Sequence, residues 1–271
     1  MSGRYQRLVR PATCGHDGAV ARHRPAAAIV AVLLGLAAVG APDRDARAEC
    51  PKVSPGVAEA AASFARGVAH ARAEPPALAE ARRELTRAVA LDPTHAGAHY
   101  ELAEVLLRAH ASPGYERTAA ELYTRAIQNR PDLVPAYLAL ADLYRRLGFA
   151  EQARAVLHAA LRQKPSEKER FVLLAHLAQV EEDRGELVAS LARFEEAKKA
   201  CGACTEPEEV VVYYDLGVAY ATLQPPRASE AIAQLTAFQK LACKGNLASR
   251  YAEACTIASD TVTRLQQRRV P

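Results

Sequence analysis

The sequence predicts an all-α protein in which helices pair as hairpins and the hairpins stack into a solenoid. Between residues 134 and 167, apolar side chains recur at helical spacing in two successive segments, Tyr137, Leu140, Ala141 and Tyr144, then Ala153, Leu157 and Ala160. Leu147-Gly148 is expected to end the first helix, and Pro165, which lacks an amide donor, is expected to end the second. The same spacing recurs on both sides of this hairpin, so the sequence predicts a repeated unit.

Small residues are expected where the two helices of the hairpin approach each other. Ala141 and Ala153 stand at those positions, where a bulky side chain would hold the helices apart. Tyr137 and Tyr144 fill the space beside them. The pattern therefore predicts close packing within the hairpin.

Further hairpins are predicted on either side. Upstream, the pattern is carried by Ala81, Leu85, Ala88 and Pro93, by His99, Leu102, Ala103 and Leu106, and by Ala119, Tyr123, Ala126 and Pro131. Downstream, it is carried by Leu174, Leu177, Ala178 and Gly185, by Ser190, Phe194 and Ala197, by Tyr213, Leu216, Gly217 and Tyr220, and by Ala231, Leu235 and Phe238. The first helix of the first unit, roughly residues 57–73, has the least distinct pattern. Five units thus cover residues 57–246, and residues 247–271 are expected to form a capping helix and tail over the end of the stack.

The repeated unit resembles the tetratricopeptide repeat, in which an aromatic residue, Leu-Gly, Tyr, Ala, an aromatic residue and Pro recur over about 34 residues. Most of these places are filled in the central hairpin, and Tyr213, Leu216, Gly217 and Tyr220 reproduce the first-helix motif directly. The resemblance implies a right-handed solenoid that serves as a non-enzymatic scaffold and binds a protein or peptide partner.

The resemblance also implies where a partner binds, because in this family the first helix of each hairpin lines the inner, concave wall. Positions one place beyond the packing stripe give the predicted groove residues Tyr100, Glu104, Arg108, Leu138, Asp142, Arg145, Gln179, Glu182, Tyr214 and Val218. Tyrosines would anchor a peptide, and Arg108 and Arg145 would hold a carboxylate in two-point contact. The Lys and Asn set with which some family members clamp a terminal carboxylate is absent. The alternative is that these are ordinary solvated helix residues.

The N-terminal segment predicts an export signal. Residues 1–25 are rich in arginine and precede the apolar run Ala26–Ala41, which is too short and too rich in Ala and Gly for a membrane span. Ala46 and Ala48 fit the small-residue cleavage pattern, which places the mature start at Glu49. The alternative is an uncleaved anchor, because the basic segment is longer than in most signals.

This interpretation assigns residues 1–48 to a signal peptide and residues 49–56 to a short linker, and it places the protein in the bacterial periplasm or cell envelope. Residues 1–48 hold seven arginines and three acids, so the mature part holds 28 basic and 28 acidic residues. A neutral mature chain argues against a nucleic-acid partner. Membrane contact would come only from an uncleaved leader.

Cysteines are the second informative feature, since export implies a compartment in which disulfides persist. The candidate disulfide residues are Cys201, Cys204, Cys243 and Cys255, and Cys50 makes the mature count odd. Cys201 with Cys204 and Cys243 with Cys255 is the local choice, although the sequence leaves the connectivity open.

The alternative function is a thiol-redox or zinc-binding envelope protein that uses the CxxC at 201–204. A reactive CxxC usually lies at a helix N-terminus, whereas this pair follows a predicted helix C-terminus beside Glu206, Glu208 and Glu209. Cys243 and Cys255 are too far apart in sequence for the second half of a four-thiolate zinc site. The scaffold interpretation is therefore favoured.

No catalytic site and no cofactor is predicted. His95 and His99 stand at helical spacing but lack a third metal ligand. No Gly-rich phosphate loop, nucleophile elbow or catalytic carboxylate pair is present. Acidic runs such as Glu181-Glu182-Asp183 are expected to be solvated helix faces. The sequence thus predicts a protein that is not an enzyme, and it leaves the oligomeric state open.

Overall fold

Helices make up most of the chain that the computed structural model describes, which is residues 54–109 and 114–267. The α-helices in these ranges are α1 (Pro55–Arg72), α2 (Leu78–Leu91), α3 (Ala96–Arg108), α4 (Tyr115–Asn129), α5 (Val134–Arg146), α6 (Ala150–Leu161), α7 (Glu167–Asp183), α8 (Leu187–Cys201), α9 (Val211–Thr222), α10 (Ala228–Ala242) and α11 (Ala252–Gln267). No β-strand occurs in the described ranges. The prediction of an all-α protein is confirmed.

Each helix packs chiefly against its neighbours along the chain, which gives five hairpins formed by α1 with α2, α3 with α4, α5 with α6, α7 with α8, and α9 with α10. Helix α11 packs on α10 and α9 and covers the end of the last hairpin. The predicted five-hairpin solenoid with a capping helix is therefore confirmed. The capping helix begins only at Ala252, because a short 3₁₀ helix, Gly245–Leu247, comes first.

Glycine ends the first helix of the third and fourth hairpins. Gly148 (φ +80°) and Gly185 (φ +76°) adopt a left-handed conformation that other residues avoid. After α5, the amide of Phe149 donates to the carbonyl of Tyr144 at 2.8 Å, and the amide of Gly148 donates to that of Arg145 at 3.0 Å. These two bonds satisfy carbonyls that the helix end would otherwise leave without partners. The chain can then reverse into the second helix within a few residues.

The first and fifth hairpins have the same turn, which differs from the glycine turn of the third and fourth. Both turns contain a Pro-Pro pair, at residues 75–76 and 225–226. The amide of Ala77 donates to the carbonyl of His70 at 3.0 Å, and the amide of Arg227 donates to that of Tyr220, also at 3.0 Å. The same spacing and the same bond show that these two hairpins are built alike.

The helices of these two hairpins also meet through a glycine. A Cβ atom at Gly217 would lie 2.5 Å from Cγ of Leu235, and one at Gly67 would lie 2.6 Å from Cγ of Leu85. Both leucines are fully buried on the facing helix. Any side chain at the glycine would therefore displace a packed leucine or separate the helices.

The apolar core continues from one hairpin to the next. One cluster joins Phe171 and Leu174 of α7, Phe194 of α8 and Leu216 of α9 across the boundary between the fourth and fifth hairpins. Phe194 is only 1% exposed. Burial is thus distributed along the array rather than gathered in one centre, as expected for stacked repeats.

The predicted signal peptide, residues 1–48, lies outside the described residues, so its role remains a prediction. The helices α1 to α11 belong to one compact unit, Pro55–Pro271. Among the described helices, none combines the length and the apolar character needed to cross a bilayer.

The Gly217 contact gives a test of the packing. We expect Gly217→Ala to lower the free energy of unfolding by about 1–3 kcal/mol, because overpacking against Leu235 outweighs the roughly 1 kcal/mol that alanine gains over glycine in a helix. Urea unfolding followed by circular dichroism measures the change. Gly56→Ala is the matched control, since nothing lies within 4 Å of a Cβ atom there, and it should be neutral or slightly stabilising. Equal effects of the two substitutions would contradict the packing argument.

Candidate functional site

The predicted groove residues lie on one helix of each of four consecutive hairpins, α3, α5, α7 and α9. Nine of the ten are partly exposed, and Arg108 is exposed. We call the partly exposed side of these helices that carries them the first-helix surface. Its side chains differ in how far they are already engaged within the protein.

On α3 the predicted residues make contacts inside the array. Glu104 accepts a hydrogen bond of 2.6 Å from the hydroxyl of Tyr123, and the ring of Tyr100 lies 5.9 Å from that of Tyr123. Burial and the neighbouring Glu104 carboxylate raise the pKa of Tyr123, so its hydroxyl keeps the proton that it donates. Arg108 donates to the carbonyl of Ala71 at 3.0 Å and so joins α3 to the end of α1. These contacts fix the side chains in place before any partner binds.

Charged residues connect α5 and α7. Arg145 lies 3.2 Å from Asp142 on its own helix and 3.2 Å from Asp183 on α7. The predicted two-point carboxylate contact of Arg145 is therefore already taken up by two carboxylates of the protein itself. Leu138 packs on the core of the third hairpin, and Gln179 is partly exposed on α7.

The residues predicted on α9 lie against the capping helix. Tyr214 and Val218 pack, partly buried, against a cluster that includes Phe238 of α10 and Ala258 of α11. The rings of Tyr214 and Phe238 are 5.3 Å apart. These two residues therefore support the contact with α10 and α11 as well as forming the end of the first-helix surface.

Sequence reasoning missed two titratable groups on these helices, Asp215 of α9 and His176 of α7. Burial, together with the carboxylate of Glu182, raises the pKa of Asp215 from about 3.8 to about 7. Burial and the adjacent Asp183 raise the pKa of Glu182. Burial lowers the pKa of His176 on α7, which favours its neutral form. A signal for Asp215 was present in the sequence, since it is the one charged residue of Val211–Thr222.

The expectation that Glu181 belongs to a solvated face is wrong. Glu181 is only 3% exposed and its pKa is raised by burial, while Arg193 of α8 lies 3.6 Å away. It occupies the place that Tyr144 and Tyr220 hold in the third and fifth hairpins, so the repeat spacing turns it inward. Position in the repeat, rather than the charge run, decides its burial.

The four candidate disulfide cysteines fall into two close pairs. The sulfur atoms of Cys201 and Cys204, and those of Cys243 and Cys255, are at bonding distance, with Cα separations of 5.0 and 5.7 Å. Cys201 is the last residue of α8, and Cys204 is buried with φ +47°. The CxxC thus lies at a helix C-terminus. Cys50 lies outside the described residues.

No group of three or more His, Cys, Asp or Glu side chains within residues 54–109 and 114–267 is placed to hold a metal ion. His95 is used locally, because its Nδ1 accepts a hydrogen bond of 3.0 Å from the amide of Ala98 at the start of α3. The ring of His99 is buried, and its Nε2 lies 2.8 Å from the carbonyl oxygen of Pro93. The two histidines therefore have separate structural roles.

A family model described as tetratricopeptide repeat matches residues 117–177, which run from α4 to α7. This match covers the central hairpin whose spacing defines the repeat. The tetratricopeptide repeat is therefore shown for this part of the chain, residues 117–177.

Solved structures share the fold of this chain. PilF of Pseudomonas aeruginosa is 16% identical, with a TM-score of 0.57 over 79% of this chain and 91% of that chain. A double mutant of MamA RS-1 is 16% identical, with a TM-score of 0.54 over 68% of this chain and 94% of that chain. At this level of identity the likeness concerns the fold alone. A search of curated proteins gave no match.

The raised pKa of Asp215 predicts a pH-dependent stability. Between about pH 4 and pH 7 the folded protein binds a proton at Asp215 that the unfolded chain releases, so stability falls as pH rises through this range. Asp215→Asn should leave stability nearly unchanged near pH 4 and raise the free energy of unfolding near pH 8 by on the order of 1 kcal/mol or more. Urea unfolding at the two pH values measures this.

Asp183→Asn is the control, because Asp183 has Arg145 as a partner. Its removal should give no gain near pH 8. A gain from Asp215→Asn of the same size at both pH values would show that its charge is not the cause.

Proposed function

We propose that this chain is a non-enzymatic scaffold of the bacterial cell envelope that binds a segment of another protein along the first-helix surface. The observation that carries the proposal is the placement of partly exposed tyrosine, leucine, acidic and basic side chains on four consecutive hairpins. Such a mixed surface suits an extended segment, which can contact one hairpin after another.

Preorganisation supports this choice of surface. The side chains of Glu104, Arg108 and Arg145 are held by neighbouring groups of the protein, so they would lose little freedom on binding. Tyr100 offers a large amphipathic ring at low entropic cost. A partner carboxylate would have to compete with Asp142 and Asp183 for Arg145, which argues against a simple carboxylate clamp at this residue.

The second helices of the hairpins provide a comparison for the first-helix surface. On α6, Arg154 lies 2.9 Å from Glu151 and 3.6 Å from Glu186, and all three are surface residues. These pairs are about as exposed as those of Arg145, so they differ from the first-helix surface in position rather than in chemistry. They serve as controls for the first-helix surface.

Export to the envelope is proposed chiefly from the leader. The arginine-rich start, the apolar run and the small residues before Glu49 support a cleaved signal peptide. The two close cysteine pairs are compatible with an oxidising compartment.

Partner binding can be tested with short random peptides displayed on phage and selected on the immobilised protein. Tyr100→Ala and Arg145→Ala should each weaken a selected peptide by on the order of 1 kcal/mol or more, measured by fluorescence anisotropy, with helicity retained. Arg154→Ala on α6 and Arg162→Ala directly after it are the matched controls. If the controls abolished binding while Tyr100→Ala and Arg145→Ala had no effect, the binding surface would lie elsewhere.

Export and the alternative redox function can be tested on the protein secreted by the cell. N-terminal sequencing should begin at Glu49, and thiol titration of the denatured, unreduced protein should find no more than about one free cysteine, because four form two pairs. Stoichiometric zinc, or turnover of a disulfide substrate that is lost in Cys201→Ser, would instead support the thiol-redox or zinc-binding function.

A further inference from the structure

A cleft separates α4 of the second hairpin from the turn that joins α5 to α6 in the third. Its volume is about 640 Å³, and one wall is formed by α4 and the other by Tyr144, Leu147 and Phe149. Leu147 is 42% exposed and Phe149 is 49% exposed, although both are large and apolar. Clefts of this volume are typical of ligand sites. We call this place the α4 cleft.

The turn holds the apolar wall of the α4 cleft in a fixed position. The amide of Phe149 donates to the carbonyl of Tyr144 at 2.8 Å, and the carbonyl of Phe149 accepts from the amide of Ala153 at 3.0 Å. The rings of Tyr144 and Phe149 meet edge to face, with centroids 6.4 Å apart. A molecule that bound here would therefore meet a wall that is already organised.

The fourth hairpin has the same turn with different side chains. Its turn also contains a glycine of left-handed conformation, and the amide of Glu186 donates to the carbonyl of Glu181 at 2.9 Å. Arg184 therefore takes the place in the repeat that Leu147 has in the third hairpin. In the same way, Glu186 takes the place of Phe149.

Ion pairs join the turn of the fourth hairpin to the helix before it. Arg184 and Glu186 lie 2.7 Å apart, Arg184 also pairs with Glu151 of α6, and Glu186 lies 3.6 Å from Arg154 of α6. The repeat thus tolerates charged residues at these two positions. The exposed apolar pair of the third hairpin is not required by the turn, and adjacent apolar side chains beside a cleft are typical of a binding surface.

Two charges of opposite sign on α4 line the cleft. Within residues 54–109 and 114–267, neither Glu116 nor Arg125 makes a hydrogen bond or an ion pair. Arg117 and Glu121, which also line the cleft, pair with each other at 3.3 Å. Glu116 lies in the first turn of α4, and at 1.5 Å per residue Arg125 lies roughly 14 Å farther along the helix. A complementary molecule would bring a positive charge to one end and a negative charge to the other.

We propose that the α4 cleft binds an amphipathic helix of a partner protein, antiparallel to α4. The apolar face of this helix packs on Leu147 and Phe149, as in other helix-in-groove complexes. Its first turn carries acidic residues that face Arg125, and its last turn carries basic residues that face Glu116. Helices favour this distribution of charge because it complements their dipole. The site is separate from the first-helix surface and does not depend on the proposed function.

A second cleft, between α8 and the turn of the fifth hairpin, does not support a choice of occupant. It is lined by apolar side chains such as Val188 and Leu223 and by the charged Glu186. Glu186 is already paired with Arg184 at 2.7 Å. Nothing there selects one partner over another.

A synthetic helix tests the α4 cleft. The probe is a stapled peptide of about 14 residues with leucine and one tryptophan on its apolar face, two glutamates in the first turn and two lysines in the last. The protein contains no tryptophan, so the emission of the probe reports its transfer into an apolar environment. We expect a saturable blue shift with the full chain. No saturable shift up to about 1 mM probe would overturn the proposal.

Variants locate the binding. Phe149→Gln should weaken the probe about tenfold or more without changing the melting temperature, because an exposed side chain contributes little to folding. Arg117→Glu/Ala120→Arg/Leu147→Arg/Phe149→Glu installs the residue types of the ion-paired position in the fourth hairpin and should abolish binding. Ile257→Gln on α11 is the matched control, since Ile257 is 40% exposed, and it should have no effect. Equal affinities of Phe149→Gln and Ile257→Gln would overturn the proposal.

Charge and the class of occupant are tested separately. Arg125→Ala should weaken the probe about two- to fivefold and leave unchanged a second peptide in which glutamine replaces both glutamates. Equal weakening of the two peptides would overturn the antiparallel placement. Sedimentation equilibrium should find a monomer. A dimer that is lost in Phe149→Gln would make a second copy of this chain the occupant and overturn the partner helix.

Discussion

Close approach of the two helices in each hairpin is the constraint on which the rest of the structure depends. In the first and fifth hairpins the approach is so close that a leucine of the second helix occupies the space where a Cβ atom of the first would stand. In the third hairpin the small residues Ala141 and Ala153 are buried between the larger Tyr137 and Leu157. A hairpin of two closely packed helices cannot bury all of its own apolar side chains. The next hairpin covers those that remain, and α11 covers them at the end of the array.

The same constraint creates the first-helix surface. Residues that turn toward the second helix or the next hairpin are buried, so the positions beside them on α3, α5, α7 and α9 remain partly exposed in series. Two of the charged residues there, Asp142 and Arg145, pair with each other, and Arg145 also pairs with Asp183. Glu182 and Asp215 are not neutralised in this way. The other charged side chains of this surface are already engaged within the protein.

Sequence reasoning succeeded for the helices and their pairing. It failed for Glu181, whose place in the repeat was overlooked, and for side-chain contacts between hairpins. The spacing predicted all five hairpins, and even the indistinct α1 has a counterpart in the fifth hairpin through Gly67 and its Pro-Pro turn. Glu181 was expected to be solvated because its two neighbours are acidic, yet its repeat position buries it. Asp215 was visible in the sequence as the one charged residue of α9, but the sequence does not show whether such an acid has a partner.

The sequence by itself determined the helices, their pairing and most of the apolar residues that each helix buries, because helical spacing and the glycine and proline turns are local properties of the chain. Only the tertiary structure decided which exposed side chains engage one another. It directed Arg108 to the end of α1, Arg145 to Asp183 of the next hairpin, and Tyr214 to the capping side of the array. The physical reason is that ion pairing and burial of a carboxylate depend on distances of a few ångströms between helices, and the stacking of hairpins sets those distances.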